Sequence, residues 1–382
     1  MESHAGSPVT VATSSIQEEV AEARGSVTPL RIAGRSHWLE AGRPVSAERV
    51  LTTAAHRGIV DYVPGDLTIT VRSGTSLREI SEVTSREGQW FPLDPFGDDD
   101  GTIGATISTG SSGPLAQRFG AIRDLVLGLE FIAGDGKVVR GGGRVVKNVA
   151  GFDLTRLLTG SWGTLGVITE ATLRLYAQES QRATFVLPLP EGFAQMSERI
   201  AAVRSAPLVP FATVLADPSV AAHLGLPGRT SLLIEVGGNS AAVASQRDAL
   251  ATLGAEAIDT NPWSALRVLD GQGSSVVRIS TLASRVAEVW QIVRSALDPV
   301  DGALLHANIG LGILRCIIPG GADVSVFGRI VAGCTGCTSV FETLPANVWN
   351  EMSPTVKGDR LSRGIKAAFD PLNILNPGIL GD

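Results

Sequence analysis

"GRVVKNVAGFDLTRLLTGSWGTLGVITEATLRL", residues 143–175, sets Gly143, Gly151, Gly160, Gly163 and Gly166 among two apolar runs and ends in a segment rich in β-branched residues. Val167, Ile168, Thr169 and Thr172 favour extended backbone, so the pattern predicts a strand over 164–175. Ahead of it, Asp153 is placed to cap a helix over Leu154–Leu158, with Gly160 just beyond its end. Bare backbone so close to a strand either turns the chain or lets main-chain N–H groups approach an anion with no Cβ in the way.

Two other stretches have the same character: "RIAGRSHW" (31–38) and "DDDGTIGATISTGSSGPLAQRFG" (98–120). A single loop of this kind is explained by turning; three in one region point to a ligand. No G-x-x-x-x-G-K-[ST] occurs, and no G-x-G-x-x-G opens a helix after a strand, so neither a P-loop nor a Rossmann dinucleotide site is supported. A dinucleotide held by this chain needs a different fold.

Around these loops the N-terminal part reads as α+β. Ser15 with Glu18, and Ser76 with Glu79, carry the reciprocal pattern of a helix N-terminus, and Gly88 stops the second helix. "PLRIAG" reads as a strand, and Gly134-Asp135-Gly136 as a hairpin turn. From 183 to 260 the order becomes βαββαβ, the split arrangement of a ferredoxin-like layer. Helix over 283–298, strands over 303–319 and a helix from Leu361 to Phe369 follow, the last stopped by Asp370-Pro371, with Asn376-Pro377-Gly378 as a further turn. No internal repeat is evident. The expected domains are 1–177, 178–350 and a C-terminal segment 351–382.

The 382 residues suit two domains, and an apolar fraction of 44% is enough for sizeable cores. A net charge of -6 leaves no basic footprint for nucleic acid. The first residues show no signal-peptide pattern, and no run of about eighteen apolar residues occurs. A soluble, cytoplasmic protein is expected, with peripheral membrane attachment through a partner left open. The C-x-x-C of Cys334 and Cys337 lacks further ligands at metal spacing and reads as small residues at a strand edge; no metal is expected.

The stretch 102–175 and the ending "LSRGIKAAFDPLNILNPG" (361–378) resemble the FAD-binding oxidases of the PCMH type, the vanillyl-alcohol oxidase-like superfamily, and within it the FAD-binding E subunits of bacterial glycolate oxidase. The resemblance implies an α+β fold in which two subdomains surround an extended FAD, a ferredoxin-like cap follows, and the C-terminus returns to the flavin domain. By matching motifs, Gly34, Arg35 and Ser36 go to the pyrophosphate, and Thr102, Ile103, Gly104, Ser112 and Gly113 to the diphosphate and flavin. Gly163, Gly166, Val167 and Ile168 go to the adenine-ribose side, and Asn376 to the isoalloxazine edge.

Arg35 reads either as a cation for phosphate oxygens or as a solvated turn residue. His37 stands later than the place directly after paired glycines from which some relatives bind flavin covalently, so noncovalent binding is expected. Lys147 reads as a surface charge or a site contact, Asn148 lies beside it, and Phe152 stands where the family often has Tyr.

Oxidation of a 2-hydroxy acid needs a cation for the carboxylate and a base near the hydroxyl. The nearest local match to the histidine-rich cap element of the catalytic D subunits is "LLHANIGLGILR", with His306 as candidate base and Arg315 as candidate clamp; Leu311 and Ile313 replace its acidic and amide positions. His306 reads equally as a packed strand histidine. Three functions stay open. The chain is an FAD-binding subunit working with a D-like flavoprotein and an iron-sulfur subunit on glycolate or a related 2-hydroxy acid. Alternatively it is a self-sufficient FAD-dependent dehydrogenase, or a flavin-binding assembly subunit without turnover.

Overall fold

The computed structural model describes residues 13–36, 38–143, 153–270, 274–352 and 360–381. In the N-terminal half, β1 (Leu30–Ala33) pairs in parallel with β2 (Arg49–Thr52). The antiparallel five-stranded sheet is built from β3 (Ile59–Val63), β4 (Thr68–Arg72), β6 (Val126–Ile132), β7 (Val138–Gly142) and β8 (Val167–Arg174), in the order β3-β4-β8-β6-β7. The short β5 (Gln89–Trp90) pairs with β9 (Tyr176–Ala177). The strand expected from the opening stretch is thus β8, central in its sheet and buried along most of its length.

Local signals act as expected at several ends. Ser76 accepts the N–H of Glu79 while the Glu79 carboxylate accepts the N–H of Ser76, closing both halves of the capping box on helix Leu77–Thr84. Asp153 accepts the N–H of Arg156 at the start of Leu154–Leu158. Ser15, by contrast, does not cap: the first described helix already includes Thr13, placing Ser15 inside it.

The second large sheet has eight strands, all antiparallel: β10 (Gln181–Pro188), β11 (Ala212–Ala216), β12 (Ser231–Gly238), β13 (Glu256–Ile258), β14 (Ser275–Ser280), β15 (Leu304–Asn308), β16 (Ile313–Ile318) and β17 (Thr338–Thr343). Their order is β13-β10-β12-β11-β15-β16-β14-β17. The first four form the expected ferredoxin-like unit. The last four, with helices Val286–Leu297 and Ser325–Gly333, repeat the same βαββαβ order, and β11 joins β15 at the seam. The chain therefore has an internal structural repeat that its sequence hides. Each unit keeps only the period-two burial of strands and the apolar stripe of helices, which many unlike side chains satisfy.

One face of this sheet packs under helices Phe193–Ser205, Ser240–Thr252, Val286–Leu297 and Ser325–Gly333, with Phe185, Ile234, Leu305, Leu314 and Trp290 in the core. Because side chains alternate along a strand, the neighbours of these residues turn toward the N-terminal domain. There Gln117 accepts from both the N–H and hydroxyl of Thr213, and Asn308 donates to the carbonyl of Pro114. Among the described residues no helix is long and apolar enough to cross a membrane.

Candidate functional site

A cleft of about 390 Å3 runs between the loop after β1, the helix Ile103–Thr109, the loop before β8, the C-terminal turn and the free face of the eight-stranded sheet. Gly34, Arg35, Ser36, Thr102, Gly104, Gly163, Val167, Ile168 and Asn376 all line it. Four other expected residues do not. Ile103 is wholly buried on the short helix; Ser112 accepts the N–H of Ile122; Gly113 abuts Asp94; and Gly166 packs on Phe131. His37, Lys147, Asn148 and Phe152 lie outside the described residues.

Close approach explains the glycines. A Cβ on Gly34 would strike the hydroxyl of Thr102, the N-cap of the short helix, and one on Gly163 would lie 2.8 Å from Nδ2 of Asn376 while its φ of +70° already excludes most side chains. Strain gathers here too. Among the described residues six other than glycine have positive φ, and three of them, Ser36, Trp162 and Asn376, line this cleft. Such backbone persists where surrounding contacts over-determine it, as ligand loops do. Asn376 is one of those contacts. Its Oδ1 accepts the N–H of Ile32 at 2.8 Å and its Nδ2 donates to the carbonyl of Trp162 at 2.7 Å, so its amide ties β1, the loop before β8 and the C-terminal return together.

Four arginines line the cleft, and three are already matched to carboxylates. Arg35 lies 3.6 Å from both Glu79 and Asp100. Arg267 pairs with Asp99 at 2.6 Å and donates to the carbonyl of Pro95. Arg315 donates to Asp270 from Nε and Nη2 and to Glu342 from Nη1. Arg278, beside Arg315 across the β14–β16 pair, donates to the other oxygen of Glu342 at 2.8 Å, so one carboxylate bridges two guanidinium groups. Burial pushes the Glu342 carboxyl up, but Arg315 and Arg278 outweigh it and hold it below its ordinary range; burial opposes the charge on Arg315, which Glu342 and Asp270 more than restore. The fourth arginine, Arg31, was not singled out in the sequence, where it reads as one residue of a strand.

His306 stands directly opposite Arg315 on the β15–β16 pair. Its ring is 4% exposed, its Nε2 has no hydrogen-bond partner, and it is not part of the cleft lining. Phe96, which does line the cleft, packs on that ring at 5.6 Å between centroids and lies 4.0 Å from the Arg315 guanidinium carbon. Burial, reinforced by Arg315, depresses the imidazole to about 3, so it stays neutral. The pair that would deprotonate a hydroxyl and grip a carboxylate is thus adjacent. The clamp's donors, however, are spent and the base is covered.

Two further buried acids lie between the sheets. Asp94 is pushed up to about 8 by burial, against the N–H of Leu115 and the charge of Arg267, and Glu235 is pushed up to about 7 by burial, against Arg182. Nothing in their sequence surroundings marks either one.

Residues 10–142 match the family of the FAD binding domain. Over that stretch the chain carries an FAD binding domain. FAD is the cofactor of that domain, and the cleft suits it: Gly34, Gly104 and Gly163 present main chain to it, and its lining reaches from the loop after β1 to the eight-stranded sheet. Over 160 residues the chain is 43% identical to the glycolate oxidase subunit GlcE of Escherichia coli, a match covering 41% of this chain and 45% of that subunit. Over 383 residues it is 26% identical to the glycolate oxidase subunit GlcD of Bacillus subtilis, covering 88% and 80%. An alkyldihydroxyacetonephosphate synthase structure superposes with a TM-score of 0.69 at 16% identity, over 96% of this chain and 74% of that one, a likeness of fold.

Proposed function

We propose that this chain is the FAD-binding subunit of a glycolate oxidase-like complex, in which glycolate or a related 2-hydroxy acid becomes the 2-oxo acid and electrons pass through flavin to a D-like flavoprotein and an iron-sulfur subunit. The observation that carries the reading is Arg315: all three of its donor positions are held by Asp270 and Glu342, and Phe96 covers both it and His306. A substrate carboxylate would have to displace the buried Glu342 and the half-buried Asp270 from this guanidinium, and leaving the Glu342 charge unpaired costs about 3–5 kcal/mol. A self-sufficient dehydrogenase needs that arginine free.

Bound in the cleft, FAD supplies the two-electron acceptor that the protein's own side chains lack. The residues on its walls do the rest. Gly34 and Gly163 admit the ligand to main chain, Asn376 fixes the three segments against which it lies, and Phe96 keeps water from the charged cluster of the cap.

Absorption spectra of the purified chain, before and after anaerobic glycolate, test this directly. Flavin bands that acid precipitation releases into the supernatant, and that glycolate leaves unchanged until a D-like subunit is added, are the expected result. Bleaching by glycolate with this chain alone would establish a self-sufficient site instead. Bands that stay unchanged even in the assembled complex would mark an assembly subunit without turnover.

A further inference from the structure

We propose that Arg31 is the cation that binds the diphosphate of the dinucleotide, a role that rests on the cofactor reading above. Of the four arginines on the cleft walls it alone has no carboxylate partner among the described residues. Its hydrogen bonds, both from Nη2, go to main-chain carbonyls, Leu39 at 2.9 Å and Ala41 at 3.3 Å. Those bonds fix the position of the guanidinium while leaving its charge uncompensated. Half-buried and desolvated, Arg31 has its pKa lowered from the ordinary arginine value, the signature of a charge that lacks an anion. A cation kept in such a place is stabilised when a phosphate arrives, and the planar fork matches phosphate oxygens.

The competing assignment from sequence is Arg35, four residues beyond Arg31 on the loop that follows β1. Glu79 and Asp100 already neutralise it, so an anion near Arg35 gains little net attraction. A further feature makes the inference measurable. Trp38 and Trp162 line the same cleft with ring centroids 6.5 Å apart, and Trp38 adjoins the Leu39 carbonyl that Arg31 holds. Ligand entry at Arg31 should therefore alter tryptophan emission.

The test is titration of the flavin-stripped chain with FAD, with ADP, which has the diphosphate but no flavin, and with riboflavin, which has the flavin but no phosphate, following tryptophan fluorescence. Arg31→Met should weaken FAD and ADP by about tenfold or more, the worth of one charge-assisted contact, and leave riboflavin within about twofold. Arg35→Met should weaken FAD by less than about threefold. Arg31→Lys, which keeps the charge, should recover part of the loss, and wild-type affinity should fall with added salt more steeply than that of Arg31→Met.

Equal weakening of riboflavin and ADP would overturn the proposal and leave Arg31 as a tether for the 36–41 loop. So would FAD binding by Arg31→Met that matches wild type while glycolate binding to the flavin-loaded chain is lost, which would assign the arginine to a substrate carboxylate. Wild-type chain that binds no FAD at all would remove the cofactor reading itself, a failure distinct from that of a normal wild type with an unaffected variant.

Discussion

Replacing Asn376 with alanine separates a strut from a ligand contact. The side chain is 2% exposed and serves two main-chain groups, the N–H of Ile32 and the carbonyl of Trp162. Truncation orphans both, and each buried unsatisfied group costs about 1–3 kcal/mol. Alanine must also keep the φ of +45° that asparagine tolerates better, which adds on the order of 1 kcal/mol. Water entering the vacated space recovers part, so the expected loss is about 4 kcal/mol. Urea denaturation of the flavin-free chain, followed by far-ultraviolet circular dichroism, reads it without interference from the cofactor. Asn376→Gly relieves the backbone strain but not the two orphaned groups, so it should recover about 1 kcal/mol of the loss. A change below about 1 kcal/mol in the flavin-free chain, accompanied by a shifted flavin spectrum in the loaded one, would refute the strut and restore the contact that the sequence resemblance implies.

The buried acids predict how stability depends on pH. Asp94 keeps its proton to about 8 in the folded chain but releases it near 4 when unfolded, so its contribution is full below that lower value and is lost as pH rises through about 8. Asp94→Asn should remove up to about 1.4 kcal/mol of this loss per pH unit; identical pH slopes for variant and wild type in urea unfolding between pH 5 and 8 would contradict it. Glu342→Gln strips the shared carboxylate from Arg278 and Arg315. It should destabilise by about 3–5 kcal/mol in the same assay, and a loss under about 1 kcal/mol would mean the cluster is solvated.

What the sequence revealed was local. The capping box at Ser76 and Glu79, the cap at Asp153 and the turn at Gly134-Asp135-Gly136 depend on residues within a few positions of one another, and the structure keeps each of them. The glycines of the opening stretch were legible as close backbone approach, although the partner that crowds Gly163 is Asn376, more than two hundred residues away. Pairings of that span leave no local trace. Nothing around Arg315 signals that Asp270 and Glu342 will occupy it, and nothing around Arg35 signals Glu79 and Asp100, so the charge of the cleft could not be summed from motifs. The second βαββαβ unit escaped notice because the two units share a pattern of burial and not of residues.

That doubled sheet also bears on how such a protein can change over evolutionary time. The unit of β10 to β13 meets the flavin domain through Thr213, and the unit of β14 to β17 meets it through Asn308 while carrying Arg278, Arg315, His306 and Glu342 on the same face. The charged cluster is thereby confined to one of two copies of one architecture, joined along β11 and β15 and through contacts such as Arg294 with Asp217. A lineage can rewrite the charges of the second copy, gaining or surrendering a substrate site, while Thr213 and Asn308 continue to hold the cap in place.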